Sequence, residues 1–147
     1  MNLTTKTRYG TRAMLELALH YNEGPLSLAE IARRQELSEK YAETLMARLR
    51  AAGLVQSVRG AQGGYLLARD PDSITLRDVY EVMEGPEPPV SCISNPAGCP
   101  RGETCVTQEV WAAMHGAAMG VLESVTLAEL AARHRQRQAA SAFTYCI

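Results

Sequence analysis

Aromatic residues are scarce in this 147-residue chain: one Trp, one Phe and six Tyr, 5% of the total. Alanine, leucine, glutamate and arginine are abundant instead, so helix is the expected state for most of the chain. Long apolar runs are missing too. The opening MNLTTKTRYG carries no apolar signal region, and the longest apolar-looking stretch, VWAAMHGAAMGVL, is broken by His115 and glycines. It falls well short of the roughly 20 apolar residues a membrane helix needs. A soluble, cytoplasmic protein with no membrane partner is expected. Catalytic signatures are also absent: there is no nucleophile motif, and His20, His115 and His134 sit far apart on expected helices. The chain does not read as an enzyme, and no catalytic residues are assigned. With 46% hydrophobic residues it is long enough for one domain with its own core, without disulfide staples.

The net charge of -1 conceals an asymmetry. Residues 1–69 carry ten Lys and Arg against six Asp and Glu, whereas residues 70–147 carry five against ten. A basic first half joined to an acidic remainder points to a polyanion as the partner of the first half.

Residues 5–22 place Tyr9, Ala13, Leu17 and Tyr21 four apart, one apolar face of a first helix that stops at Asn22-Glu23-Gly24-Pro25. Ser27 and Glu30 have capping-box spacing, with Leu26 and Ile31 placed as a hydrophobic staple, and start a second helix that runs only to about Gln35. Ser38 caps a third, which continues to Ala52 before Gly53. That helix has an apolar back of Ala42, Leu45, Met46 and Leu49 and a polar front carrying Lys40, Glu43, Thr44 and Arg48. Then LVQSVRGAQGGYLLA reads as a hairpin with a glycine-rich tip that carries Arg59. Two helices joined by a short turn and followed by a hairpin outline a winged helix-turn-helix. Its polar helix suits a major groove about 12 Å wide, and the slim hairpin suits the electronegative minor groove beside it. Double-stranded DNA is the expected partner.

A further capping box, Thr75 with Asp78, opens a helix that ends at Gly85. The texture then changes. Residues 86–104 hold five of the seven prolines, and CISNPAGCPRGETC places Cys92, Cys99 and Cys105 within fourteen residues. In a reducing compartment such a cluster is more often a metal or redox site than a set of disulfides. Zinc sites usually include a pair of ligands two to four residues apart, and none exists here. The wider spacing leaves room to wrap something larger, with Gly98, Pro100 and Gly102 able to keep backbone N–H groups directed at sulfurs. An iron-sulfur cluster, a zinc ion and redox-active or inert thiols all stay open on spacing alone.

Past Cys105, VTQEVWAAMHGAAMGVLESV reads as a long helix with Trp111, Met114, Ala118 and Leu122 on one face, rich enough in Ala and Gly for close helix packing. It is expected to pair two chains, with packing against helix one as the intrachain alternative. Thr126 and Glu129 open a short last helix, and RHRQRQAASAFTYCI follows as a poorly ordered tail. The expected organisation is a DNA-binding region at 1–85, a cysteine-rich loop at 86–105, a dimerisation helix and short C-terminal helix at 106–132, and the tail at 133–147. The fold class is mainly α with one small β-hairpin.

Over nearly its full length the chain resembles the bacterial winged-helix regulators of the Rrf2 family. The matching stretches are LTTKTRYGTRAMLELAL, LAEIARRQELSEKYAETLMARLRAAGLVQSVRGAQGGYLLARDPDSITLRDV, the three-cysteine loop, CVTQEVW and TLAEL. The resemblance implies a homodimeric transcriptional regulator on a pseudo-palindromic operator, with crossed long helices. It also implies one 2Fe-2S or 4Fe-4S cluster per subunit on Cys92, Cys99 and Cys105, sensing iron-sulfur status, redox or nitric oxide. By position it implies Tyr9, Ser38, Lys40 and Tyr41 near phosphates, Glu43 and Thr44 at base edges and Arg59 in the minor groove. Members that control cluster assembly carry His three residues after the third cysteine, where this chain has Gln108. Some nitric-oxide-sensing members recruit an acidic residue near the partner chain's N-terminus, where this chain has Arg8. The candidates for a fourth ligand are Glu43, Gln108, His115, Cys146 and an exchangeable small molecule. The alternative is a winged-helix regulator with zinc or with metal-free redox-sensing thiols.

Overall fold

The computed structural model describes residues 3–102 and 104–144. Helix α1 spans Thr5–Leu19, α2 Leu28–Arg34 and α3 Glu39–Ala51. Strands β1 (Val55–Val58) and β2 (Gly64–Leu67) form an antiparallel hairpin, α4 runs Leu76–Glu84, and a single turn, α5, covers Ser91–Ser94. Helix α6 spans Val106–Glu123 and α7 Leu127–Thr144.

Side chains cap the starts of α2, α3, α4 and α7. The hydroxyl of Ser27 accepts the Glu30 N–H at 3.1 Å, and that of Ser38 accepts the Tyr41 N–H at 3.2 Å. Thr75 and Asp78 cap each other reciprocally, and the Thr126 hydroxyl accepts the Glu129 N–H at 3.2 Å. The last two starts are also tied together through the backbone. Leu76 N–H donates to the Val125 carbonyl and Leu127 N–H to the Ile74 carbonyl, both at 2.9 Å. The chain therefore leaves on α6 and returns to the point where α4 began.

Met14 from α1, Ile31 from α2, Leu45, Met46 and Leu49 from α3, Val79 and Met83 from α4 and Leu127 from α7 are all at most 1% exposed and form one core. Truncating one of these, such as Leu49→Ala, costs about 2–5 kcal/mol in a core of this kind. Helix α1 packs against α3, α4, α7 and β2. At its crossing with α4 a β-carbon on Gly10 would come within 2.6 Å of the Met83 Cε, so an alanine here would require the Met83 side chain to shift.

Two expectations change. The last helix does not stop at residue 132 before a loose tail; α7 continues to Thr144. Its extension is held by the Arg133–Glu129 ion pair one turn apart, by Arg135 donating to the Leu19 carbonyl at 3.2 Å, and by Ser141 donating to the Arg137 carbonyl. Of the two C-terminal helices it is α7 that packs on α1, whereas α6 lies on α4 and α5. The expected face of α6 also divides. Ala118 and Leu122 are half-buried and Met119 is buried, whereas Trp111 and Met114 are exposed with Val106, Val110 and Val121. Among the described residues no helix is long and apolar enough to cross a membrane.

Candidate DNA-binding face and cysteine loop

Helix α3 presents two faces. Ala42, Leu45, Met46 and Leu49 are buried, and Lys40, Glu43, Thr44 and Arg48 are exposed on the other side. Thr44 donates its hydroxyl to the Lys40 carbonyl at 3.0 Å and keeps its oxygen as an acceptor, and Glu43 makes no hydrogen bond or ion pair among the described residues. Ser38 is committed at the N-cap of α3. Tyr41, one turn on, meets Tyr9 of α1 edge to face, with ring centroids 6.3 Å apart and planes at 87°. The geometry favours attraction between a ring edge and a ring face. The guanidinium of Arg12 lies 5.4 Å from the Tyr9 ring centroid, adding a cation to this cluster. Arg12 was not singled out from sequence, and the signal that could have found it is its place on α1 three residues after Tyr9.

The hairpin stands next to this face. Leu26 and Tyr65 exchange backbone hydrogen bonds at 3.0 and 2.9 Å, which fastens β2 to the start of α2. A β-carbon on Gly64 would meet the Leu26 carbonyl oxygen at 2.3 Å, and one on Gly63 the Val58 carbonyl oxygen at 2.1 Å. Arg59 is exposed at the tip, before Gly60 with φ +114°. Arg50 at the end of α3 reaches the Ser57 hydroxyl of β1 at 3.4 Å, a link between helix and hairpin that sequence reading missed.

The cysteines lie on the path from α4 to α6. All three are free thiols and partly exposed. Cys92 is on α5 and lines a cavity of about 390 Å³ together with Cys99 and Asn95. Cys105 is instead the N-cap residue of α6. Its thiol lies 3.3 Å from the Thr107 hydroxyl. That hydroxyl, the N–H groups of Gln108 and Thr107 and the Arg101 charge hold the thiol below its ordinary value of 9.0, outweighing burial. Gln108 donates from Nε2 to the Cys92 carbonyl at 3.2 Å, joining the start of the loop to the first turn of α6.

As a ligand set the donors fit a cluster in chemistry, being three soft thiols on one loop. Among the described residues no three His, Cys, Asp or Glu side chains stand grouped to hold a metal ion, so a cluster would need the loop to draw its thiols together. Of the fourth-ligand candidates, Gln108 uses its amide N–H on Cys92. His115 lies ten residues past Cys105, about 15 Å along the helix axis at 1.5 Å per residue. Its Nδ1 is buried and has no hydrogen-bond partner among the described residues. Glu43 stands on the exposed face of α3, and Cys146 lies outside the described residues.

A helix-turn-helix with an exposed polar third helix and a hairpin fastened beside it defines the class of winged-helix DNA-binding transcriptional regulators. The profile of the Rrf2 family, described as iron-dependent transcriptional regulator, matches residues 3–133, and the chain belongs to that family. The chain is 45% identical over 131 residues to the HTH-type transcriptional regulator CymR of Bacillus subtilis, spanning 89% of this chain and 90% of that one. It is 43% identical to the HTH-type transcriptional regulator IscR of Serratia proteamaculans, over 88% of this chain and 79% of that one. Among solved structures, CymR, the global cysteine regulator of B. subtilis, superposes with a TM-score of 0.77 at 44% identity, over 90% of this chain and 98% of that chain. T. potens IscR also superposes at 0.77, with 43% identity, over 94% and 91%. These relatives are transcriptional regulators rather than enzymes.

Proposed function

We propose that the protein is a cytoplasmic homodimeric regulator that reads a pseudo-palindromic operator and takes an iron-sulfur cluster, 2Fe-2S or 4Fe-4S, through Cys92, Cys99 and Cys105. The carrying observation is the set of three free, partly exposed thiols on the single connection between the DNA-binding body and α6. Such a cluster would supply redox and nitric oxide chemistry when bound. Around it, Gln108 holds the Cys92 end of the loop on α6, and the Thr107 hydroxyl favours the thiolate form of Cys105. Lys40, Ser38, Tyr41 and Tyr9 serve as phosphate-side contacts, Glu43 and Thr44 as base-edge contacts, and Arg59 enters the minor groove.

Dimerisation through α6 is supported by the exposed apolar residues Val106, Val110, Trp111, Met114 and Val121, and by Gly116 and Gly120, where an added β-carbon would meet nothing within 4 Å. A two-fold dimer with one recognition helix per chain reads half-sites about 34 Å apart or a multiple of that.

A second reading, regulation by the thiols themselves without a cluster, is favoured by the shared cavity of Cys92 and Cys99 and by the activated Cys105. The likeness to CymR, the global cysteine regulator of B. subtilis, supports it as much as the likeness to IscR supports the cluster. Anaerobic purification followed by iron, acid-labile sulfide and visible-absorption analysis separates the two. Brown protein with sulfide, lost in Cys92→Ala, Cys99→Ala and Cys105→Ala variants, is expected. Colourless, sulfide-free protein that still binds operator only when its thiols are reduced would establish the second reading.

A further inference from the structure

We propose that the cleft between the carboxyl end of α1 and the outer edge of β2 binds a free α-amino acid with an apolar side chain, held as a one-residue continuation of the sheet. The hydrogen bonds between Leu26 and Tyr65 turn the Tyr65 N–H and C=O away from β1, and Ala68 N–H donates inward to the Leu54 carbonyl at 3.0 Å. Alternation along an antiparallel strand then turns the N–H and C=O of Leu67 outward, like those of Tyr65. In register with the Leu26–Tyr65 bridge, residue 24 would be opposite Leu67. Gly24 instead has φ +99° and carries the chain away, and no hydrogen bond joins it to Leu67 among the described residues. Leu67 is only 6% exposed, and backbone groups of such residues are nearly always paired.

A cavity of about 460 Å³ opens at this place, bounded by Leu67, Gly24, Leu17, Leu26, Arg69 and Asp70. The volume is in the range of small-molecule sites, about 300–1,000 Å³. An α-ammonium donates to the Leu67 carbonyl while the α-carboxylate of the same molecule accepts from the Leu67 N–H, so one amino acid satisfies both groups. Arg69 and Asp70 add a charge of each sign. Arg69 is free to serve, since its ion pair with Asp78 is loose at 3.9 Å, whereas Asp70 Oδ1 already accepts the Asp72 N–H and leaves its second oxygen. Leu17 and Leu26 give the side chain an apolar bed. Because β2 is the strand bridged to Leu26, the ligand braces the wing against the α1–α2 turn. Any effect on operator affinity rests on the proposed DNA-binding reading; the binding itself does not.

Isothermal titration of the full chain with L-leucine, L-methionine and N-acetyl-L-leucine amide tests the site. Saturable binding of the two amino acids is expected, together with a loss of about tenfold or more in an Arg69→Gln/Asp70→Asn variant whose circular dichroism is unchanged. The doubly capped compound, lacking both charges, is expected not to bind. Should the double variant fail to fold, the contrast between L-leucine and its capped form in the wild type decides. Absence of saturation by either amino acid at about 10 mM, where a Kd of about 1 mM would leave the site about nine-tenths filled, would overturn the proposal. So would equal binding of the capped compound or undiminished binding by the folded double variant.

Discussion

Glu84, the last residue of α4, accepts hydrogen bonds from the hydroxyls of both Thr7 and Thr4 and from the Thr4 N–H at 3.3 Å, and so caps α1 from a distance of eighty residues. Thr4 occupies the N-cap position without making a side-chain cap of its own. The carboxylate takes over that role, where it also meets the positive end of the helix dipole.

Burial works against the Glu84 charge, but the Thr4 and Thr7 hydroxyls, the Thr4 N–H and the Lys6 ammonium outweigh it and hold the carboxyl below its ordinary value of 4.5. A carboxyl depressed in the folded state contributes stability that is full above the unfolded value and fades as pH falls through the folded one. Urea unfolding of wild type is therefore expected to show a falling midpoint below about pH 4.5. Glu84→Gln should flatten that part of the profile, and Glu84→Ala should cost about 1–3 kcal/mol at pH 7 by leaving the Thr7 hydroxyl buried and unpaired.

Arg59→Ala is expected to weaken operator binding by about 1–3 kcal/mol and to reduce the salt dependence by about one counterion. Electrophoretic titration at several salt concentrations reads both. Unchanged affinity with an unchanged slope removes Arg59 from the interface.

Gly64→Ala is expected to loosen the wing from the start of α2. Its β-carbon meets the Leu26 carbonyl carbon and oxygen within 2.5 Å, and both are backbone atoms that cannot swing aside. The Leu26–Tyr65 bridge should open, so that amide exchange at Tyr65 accelerates and operator affinity falls while helicity is retained. Slow exchange at Tyr65 in this variant would show that the bridge tolerates the added atom.

Replacing Trp111 and Val110 by Glu tests the exposed face of α6. Both are more than 40% exposed, so a loss of monomer stability is not expected. Sedimentation should report a monomer for the double variant against a dimer for wild type, with operator binding weakened as the two half-sites uncouple.

In metal-free, reduced protein Cys105 is expected to alkylate faster than Cys92 or Cys99, because the Thr107 hydroxyl, the backbone N–H groups and Arg101 favour its thiolate. Thr107→Val should slow that site alone. Peptide mass spectrometry after brief iodoacetamide treatment measures the order.

The capped helix starts and the glycine-tipped hairpin were legible from sequence because each is written within three or four neighbouring residues: Ser27 with Glu30, Ser38 with Tyr41, Thr75 with Asp78. The exposed front of α3 was legible for the same reason, since helical periodicity sorts Lys40, Glu43 and Thr44 from Ala42 and Leu45. The reach of α7 was not. RHRQRQ has no apolar stripe, and part of what fixes it is Arg135 on the Leu19 carbonyl, 116 residues away in sequence. Nor could spacing alone separate Cys105 from the other thiols. That separation follows from where α6 begins, at the residue after it.

The bond from Gln108 to the Cys92 carbonyl closes a ring between residues sixteen apart in sequence, with Cys99 and Cys105 both inside it. A connection pinned only at α4 and α6 would have to search for its own closure each time its thiols were drawn to a common partner. Here part of that search is completed in the folded chain, and closure entropy changes only slowly with the residues that remain. Cutting the ring with Gln108→Ala is therefore expected to slow the on-rate of whatever the thiols bind, through the shape of the loop.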